Sequence, residues 1–318
     1  MDTTSLPLLI LGYKRPSNLD RILRLAQEHG VKQIYVSLDG IVDFDSKSIE
    51  ISKEIDSILT TFSKEFLGEL IVNKRESNVG CAVSVITSID WFFNRFDSGV
   101  ILEDDCIPSQ DFFQFARNGI ELAKTDQRIT LICGTQFAPV ELESDEFYLS
   151  EYSLTWGWAI TATNWRHIRK NMFKVPKFSS LLFENNPEKC FWLAGSRRAL
   201  LGFTDVWDTP FLWSIRRDNR LVLLPKTNLV ENIGGDEVAT HNQTLSRWVG
   251  NQAGRVNTNR KSLSTNTVSD EWLRKNFYKI RFRHVYTTKI NAVLDLVFRR
   301  PKFHSTLENR CNESVISI

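Results

Sequence analysis

Three consecutive carboxylates, Glu103, Asp104 and Asp105, follow the apolar run Gly99-Val100-Ile101-Leu102, and Pro108 closes the segment. Four apolar residues with β-branched members read as a buried strand. Acids crowded at the end of such a strand repel one another unless a cation or hydrogen-bond donors neutralise them. A hard divalent ion, Mn²⁺ or Mg²⁺, takes oxygen ligands and shares its remaining positions between water and phosphate oxygens. The triplet therefore points to a metal-assisted site that handles a diphosphate. A solvated turn ahead of a helix capped by Ser109 is the plainer alternative. In open α/β sheets, however, ligands gather at the carboxyl ends of strands, where this triplet falls.

Other residues of the first half suit the same chemistry. Lys14 and Arg15 follow the apolar run Leu8-Leu9-Ile10-Leu11-Gly12, within reach of a phosphate or a base, or in an ordinary solvated loop. Asp39-Gly40 ends the run Ile34-Tyr35-Val36-Ser37-Leu38. There the aspartate can accept a hydrogen bond from a base or ribose, or simply form a turn. Asn78-Val79-Gly80 opens a helix whose first N–H groups suit an anionic or polar group, although the pattern also fits a common turn.

The second half is richer in aromatic residues around acids. Trp156-Gly157-Trp158, followed by Trp165, offers indole faces suited to the C–H face of a sugar, or to burial in a core. Asp208 stands between Trp207 and Trp213. It is a candidate base for an acceptor hydroxyl in an inverting glycosyl transfer, or, with Pro210 close behind, a helix cap. The run Gly234-Gly235-Asp236-Glu237-Val238-Ala239-Thr240-His241 delivers acids and an imidazole, and His241 is a candidate second ligand for the ion or a diphosphate contact.

Regular elements must carry these residues. Strands over 8–12, 33–38, 70–72, 99–103 and 129–134 alternate with helices over 18–29, 46–66, 81–95 and 109–124. In the second of these helices, Ile51, Ile55, Ile58, Leu59 and Phe62 recur at helical spacing. Such alternation predicts an α/β fold, a mostly parallel sheet with helices on both faces. Two further strands are expected over 221–224 and 229–233.

The order of parts resembles the nucleotide-sugar-binding half of GT-A glycosyltransferases: a strand into a basic loop, a strand into Asp-Gly, an Asn-x-Gly helix start, then a strand into Glu-Asp-Asp. More narrowly, it resembles the N-acetylglucosaminyltransferase I type and bacterial nucleotide-diphospho-sugar transferases. The resemblance implies a GT-A (Rossmann-like) fold, a UDP-sugar donor, a glycan or lipid-linked glycan acceptor and a place in bacterial surface polysaccharide synthesis. It implies that Asp105 holds the metal, that Glu103 and Asp104 contact ribose or donor sugar, that Asp39 meets the base and that Arg15 lies beside the nucleotide. It also assigns Trp156, Trp158 and Trp207 to the acceptor side. Family members carry a Trp-Asp-Asp-Trp-like motif where this chain has Asp208-Thr209-Pro210-Phe211-Leu212 between tryptophans. Bacterial relatives resemble the Gly-x-Asp-Glu-x-Ala-Thr-His run.

The chain has 318 residues, 42% hydrophobic and 25% charged, and its net charge of +2 is too small to argue for nucleic acid, so no nucleic-acid partner is expected. Its five cysteines show no metal-ligand spacing and suit a reducing compartment. The apolar run 6–11 is too short for a signal h-region and contains Pro7, so a cytoplasmic protein is expected. Residues 1–250 are expected to form the catalytic domain, split at 134 into donor and acceptor halves. A polar linker or loop over 251–270 and a basic, amphipathic helical tail over 271–318 would follow. Residues 272–300 interleave basic and apolar side chains, and can lie at the inner face of an anionic membrane or pack on the catalytic domain. The absence of a Gly-x-x-x-x-Gly-Lys run excludes a P-loop enzyme. Tyr13-Lys14-Arg15-Pro16 replaces the glycine-rich loop of a sugar nucleotidyltransferase. A non-enzymatic carbohydrate-binding module is the alternative; it would need no convergence of Arg15 and Asp39 on Asp105.

Overall fold

The computed structural model describes residues 5–41, 46–139, 147–234 and 263–316. His241 and the acids beside it lie outside them. The first half follows the expected alternation: β1 (Leu8–Gly12), α1 (Pro16–Glu28), β2 (Gln33–Leu38), α2 (Ser46–Glu65), β3 (Glu69–Lys74), α3 (Cys81–Phe93), β4 (Ser98–Glu103), β5 (Cys106–Pro108), α4 (Gln110–Thr125) and β6 (Ile129–Cys133). The second half adds β7 (Phe147–Ser150), β8 (Trp158–Thr161), α5 (Ala162–Met172), α6 (Phe178–Phe183), α7 (Pro187–Leu200), α8 (Asp208–Arg217), β9 (Leu221–Pro225) and β10 (Val230–Asn232). After it come α9 (Thr267–Trp272), a π-helical turn at Leu273–Phe277, α10 (Arg283–Val297) and α11 (Leu307–Glu313).

Eight strands form one sheet in the order β3-β2-β1-β4-β8-β6-β9-β7. The neighbours β3, β2, β1 and β4 are parallel, β8 runs antiparallel between β4 and β6, and β7 is an antiparallel edge. Alternate strand residues face opposite ways, so each strand feeds two cores. Leu8, Ile10, Val100 and Leu102 pack with α1, α2 and α4, whereas Leu9, Leu11, Ile101 and Trp158 pack with α3, α5 and α8. This is the mostly parallel α/β sheet with helices on both faces that the sequence predicts. Because β1, β2 and β4 are parallel neighbours, their carboxyl ends share one rim.

The polar stretch ending at 270 is bound to the body over its described part. Leu149 donates its N–H to the Ser264 carbonyl and accepts that of Asn266, at 2.9 and 3.0 Å. Asn266 caps α9 by accepting from the Ser269 N–H at 2.9 Å, and the Tyr148 hydroxyl meets the Ser269 hydroxyl at 2.6 Å. The Asn and Ser residues that suggest a linker by composition serve as caps and cross-links here.

The tail is not one helix over 272–300. Lys279 adopts a left-handed φ of 52°, which separates the π-helical turn from α10. The helix α10 lays Val285, Thr288 and Ala292 against α6 and α7, while α11 packs on α3 and α7. Among the described residues no helix is long and apolar enough to cross a membrane.

Candidate functional site

Helix α1 starts almost as soon as β1 ends, with Pro16 at its first position, where a missing N–H costs nothing. This tight turn aims Arg15 at the end of β4. Its guanidinium donates to Asp104 Oδ1 at 2.8 Å and stands 3.7 Å from Asp105 Oδ2. The Tyr13 N–H donates to the other Asp104 oxygen at 2.8 Å, so Asp104 ties the loop after β1 to the loop after β4. Burial lifts the Asp104 carboxyl to about 6, against the opposing pull of Arg15. Glu103, at the last position of β4, is raised well above the usual range by desolvation and by the charges of Asp105, Asp104 and Asp208.

Asp105 is positioned by the small antiparallel pair β5 and β10. Asn232 at the end of β10 donates to Asp105 Oδ1 at 3.2 Å and accepts the Gly234 N–H at 2.9 Å. A side chain at Gly234 would place its Cβ 2.2 Å from Asp105 Oδ2, so only glycine lets this strand end pass so close to the acid.

On the β2 side, Asp39 Oδ1 accepts the N–H groups of Gly40 and Val79 at 2.9 and 3.1 Å. Desolvation raises its carboxyl, while those bonds and the charge of Arg75 pull it back. Asn78 joins the two loops: its Nδ2 donates to the Gly40 carbonyl at 2.8 Å and its Oδ1 accepts the Gly80 N–H at 3.1 Å. Asn78 thus positions Asp39 and the start of α3. Gly80 has φ 88°, a conformation that strains any residue with a side chain.

These residues line one cavity of about 370 Å³: Arg15, Asp39, Asn78, Gly80, Glu103 and Asp104 all face it. Asp205 and Lys302 complete its wall. An adjoining cavity of about 320 Å³, lined by Tyr13, Asp39, Ile51, Ile55 and Arg75, shares Tyr13 and Asp39 with the first. Together they make a branched cleft at the rim of β1, β2 and β4, with acceptors, cations and an apolar slot.

Two expectations are changed by the geometry. The helix start at Gly80 does not wait for an external anion, because Asp205 accepts the N–H groups of Cys81 and Ala82 at 3.0 and 3.3 Å. Trp158 and Trp207, 1% and 4% exposed, stack on each other at 5.9 Å. Trp158 lies in β8, paired with both β4 and β6, so its ring is driven into the core against Phe211 and has no open face for a sugar. Trp156 is half-buried against Phe137 and Phe277. Asp208 opens α8, and its Oδ1 accepts from the Thr209 hydroxyl at 3.2 Å. The Asp208 charge acts on Glu103 and Cys81, which puts it within electrostatic reach of the cleft.

Sequence reasoning missed Asp205, Lys302 and Asn232. Asp205 sits in the same acid-and-tryptophan run as Asp208, and nothing local separates the two. Lys302 is one cation in a basic tail, with no local sign that it returns to the cleft. Arg310, 3.5 Å from Asp205, donates to the Val79 carbonyl at 3.2 Å, and Arg75 donates to the Ser314 carbonyl at 3.2 Å. The tail is therefore fastened to the loops that form the site.

No family model matches the sequence, and no curated protein matches it. Among solved structures, UDP-glucose pyrophosphorylase complexed with UDP-glucose is similar at a TM-score of 0.34 and 9% identity, over 70% of this chain and 90% of that chain.

Proposed function

We propose that this chain is a metal-dependent glycosyltransferase that moves a sugar from a nucleotide-diphosphate donor, a UDP-sugar in the first instance, to a glycan acceptor in bacterial surface polysaccharide synthesis. The supporting observation is that Arg15, Asp39, Asn78, Gly80, Glu103 and Asp104, from four separate segments of sequence, line one cleft at the carboxyl ends of parallel strands. A carbohydrate-binding module has no use for that combination.

The donor set suits a hard divalent ion. Among the described residues no three His, Cys, Asp or Glu side chains form a closed metal cage. An ion that shares its shell with phosphate and water needs only one or two protein carboxylates, and Asp105 is held beside the cleft by Asn232 and Arg15. The lining holds Asp39, Glu103, Asp104 and Asp205 against Arg15 and Lys302, so a divalent cation would offset the charge that a diphosphate brings. Mn²⁺ or Mg²⁺ at Asp105, with His241 as a candidate second ligand, would neutralise the leaving diphosphate.

Each residue then has a defined task. Arg15 and Lys302 attract the diphosphate, Asp39 accepts from the base, and Tyr13 with Ile51 and Ile55 walls the slot that holds it. Asp208 takes the proton from the acceptor hydroxyl as that oxygen attacks C1. The bond from C1 to the phosphate oxygen breaks, its electron pair leaves with the nucleoside diphosphate, and configuration at C1 inverts.

A donor-hydrolysis and transfer screen across nucleotide sugars, with and without Mn²⁺, tests the reading. Asp105→Ala should abolish metal-dependent nucleotide binding, whereas Asp208→Asn should bind donor and fail to transfer. Metal-independent sugar binding without turnover would establish a binding module instead. Formation of nucleotide sugar from a nucleoside triphosphate and a sugar phosphate would establish a nucleotidyltransferase.

A further inference from the structure

We propose that the outward face of α10 is a docking surface for an anionic phospholipid membrane. Phe282, Tyr286, Ile290, Val293 and Val297 recur at helical spacing, and all are exposed, four of them by 59% or more. They form one stripe, turned roughly a third of the way round the helix from Val285, Thr288 and Ala292, which face the body. A contiguous apolar stripe of this kind on a surface helix marks an interaction site.

Charge identifies the occupant. Between residues 279 and 302 the chain carries seven Lys and Arg but only one acid, Asp295, an excess of six positive charges on a protein whose net charge is +2. Asp295 is engaged by Arg198 and Arg299. Arg281 and Arg283 stand at one end of the stripe and Arg299 and Arg300 at the other, all exposed. An apolar stripe bracketed by cations fits a bilayer surface, with rings and aliphatic chains at the acyl boundary and guanidinium groups among anionic headgroups. A second copy of this chain would bring the same positive excess against itself, which opposes pairing through this face.

The docked helix would also set the position of the site. Arg299-Arg300-Pro301 leads from α10 directly to Lys302 in the wall of the cleft. Membrane docking therefore brings the cleft close to the lipid surface and selects a lipid-borne acceptor, a consequence that rests on the glycosyl-transfer reading.

Flotation of the full chain with vesicles of phosphatidylcholine, with and without phosphatidylglycerol, tests the proposal. Binding is expected only with the anionic lipid, and it should weaken as salt rises. Removing a surface cation should lower partitioning on the order of fivefold, so Arg281→Gln with Arg300→Gln should lower it more than tenfold. Ile290→Ser with Val297→Ser should abolish flotation and leave donor turnover in solution unchanged. Equal binding to both vesicle types, or none to either, would overturn the proposal. So would a concentration-dependent rise in mass that the Ile290 and Val297 substitutions remove, since the stripe would then be a contact between copies. Flotation without donor turnover would refute the transfer reading alone.

Discussion

Asp205 caps a helix 124 residues before it in sequence: its Oδ2 accepts the Cys81 N–H at 3.0 Å, and its Oδ1 accepts that of Ala82 at 3.3 Å. The start of α3 is thereby satisfied by the protein itself, and Arg310, 3.5 Å away, balances the charge. Asp205→Ala should lower stability by about 1 kcal/mol through the lost cap, while Asp205→Asn should retain most of it. Urea midpoints of the two variants measure this, and nucleotide affinity should fall with the alanine because the Gly80 turn loses its anchor.

Arg15 and Asp104 form an ion pair whose side chains are 14% and 7% exposed. Removing one member leaves the other buried without its counter-charge, at a cost of about 3 kcal/mol. Arg15→Met should therefore destabilise the fold by that order, and Arg15→Met combined with Asp104→Asn should regain most of the loss. Chemical denaturation of the single and double variants gives the coupling directly. Both should lose donor affinity if the proposed function holds, because each lacks the guanidinium that lines the cleft.

Desolvation raises the Asp39 carboxyl above its ordinary value despite the Val79 and Gly40 N–H groups and Arg75. Folding thus favours its protonated form, so its contribution to stability is largest below the ordinary carboxylate range and is lost as pH rises through the shifted value. Asp39→Asn removes that slope. Relative to the unaltered protein, the variant should gain stability at about pH 7 compared with about pH 4, as read from thermal midpoints at the two values. Under the proposed function its nucleotide affinity should fall all the same, since the cleft loses a charged acceptor.

Lys302 lines the cleft from the C-terminal tail. Lys302→Ala should weaken binding of a nucleoside diphosphate on the order of tenfold, as expected for loss of one hydrogen bond to a charged group. Binding of the nucleoside alone should be unchanged, because Lys302 does not line the adjoining cavity that the proposed function gives to the base. Calorimetric titration with both ligands distinguishes a diphosphate contact from a general loosening of the tail.

The tryptophans show why local pattern misleads in the second half. Trp156-Gly157-Trp158 reads as an aromatic platform beside a glycine turn, yet Trp158 begins the antiparallel strand β8 between β4 and β6. Four strand residues with strong long-range pairing carry too little local periodicity to stand out. The same is true of β7, whose register is set by β9. In the tail, the 272–300 stretch reads as one amphipathic helix, and the left-handed backbone at Lys279 appears only in three dimensions.

The sequence by itself determined the alternation from β1 to β6, apart from the short β5 that pairs with β10, because parallel strands and their covering helices write apolar periodicity directly into the chain. It also determined the acids at the ends of β2 and β4, since a carboxylate next to a buried strand stands out against its neighbours. Only the tertiary structure decided which residues share the cleft: Asp205 and Lys302 arrive from distant segments, and Trp158 and Trp207 are withdrawn into the core. The reason is that local pattern reports which face of an element is apolar, whereas the meeting of side chains more than a hundred residues apart depends on strand order and helix packing, which no single stretch of sequence encodes.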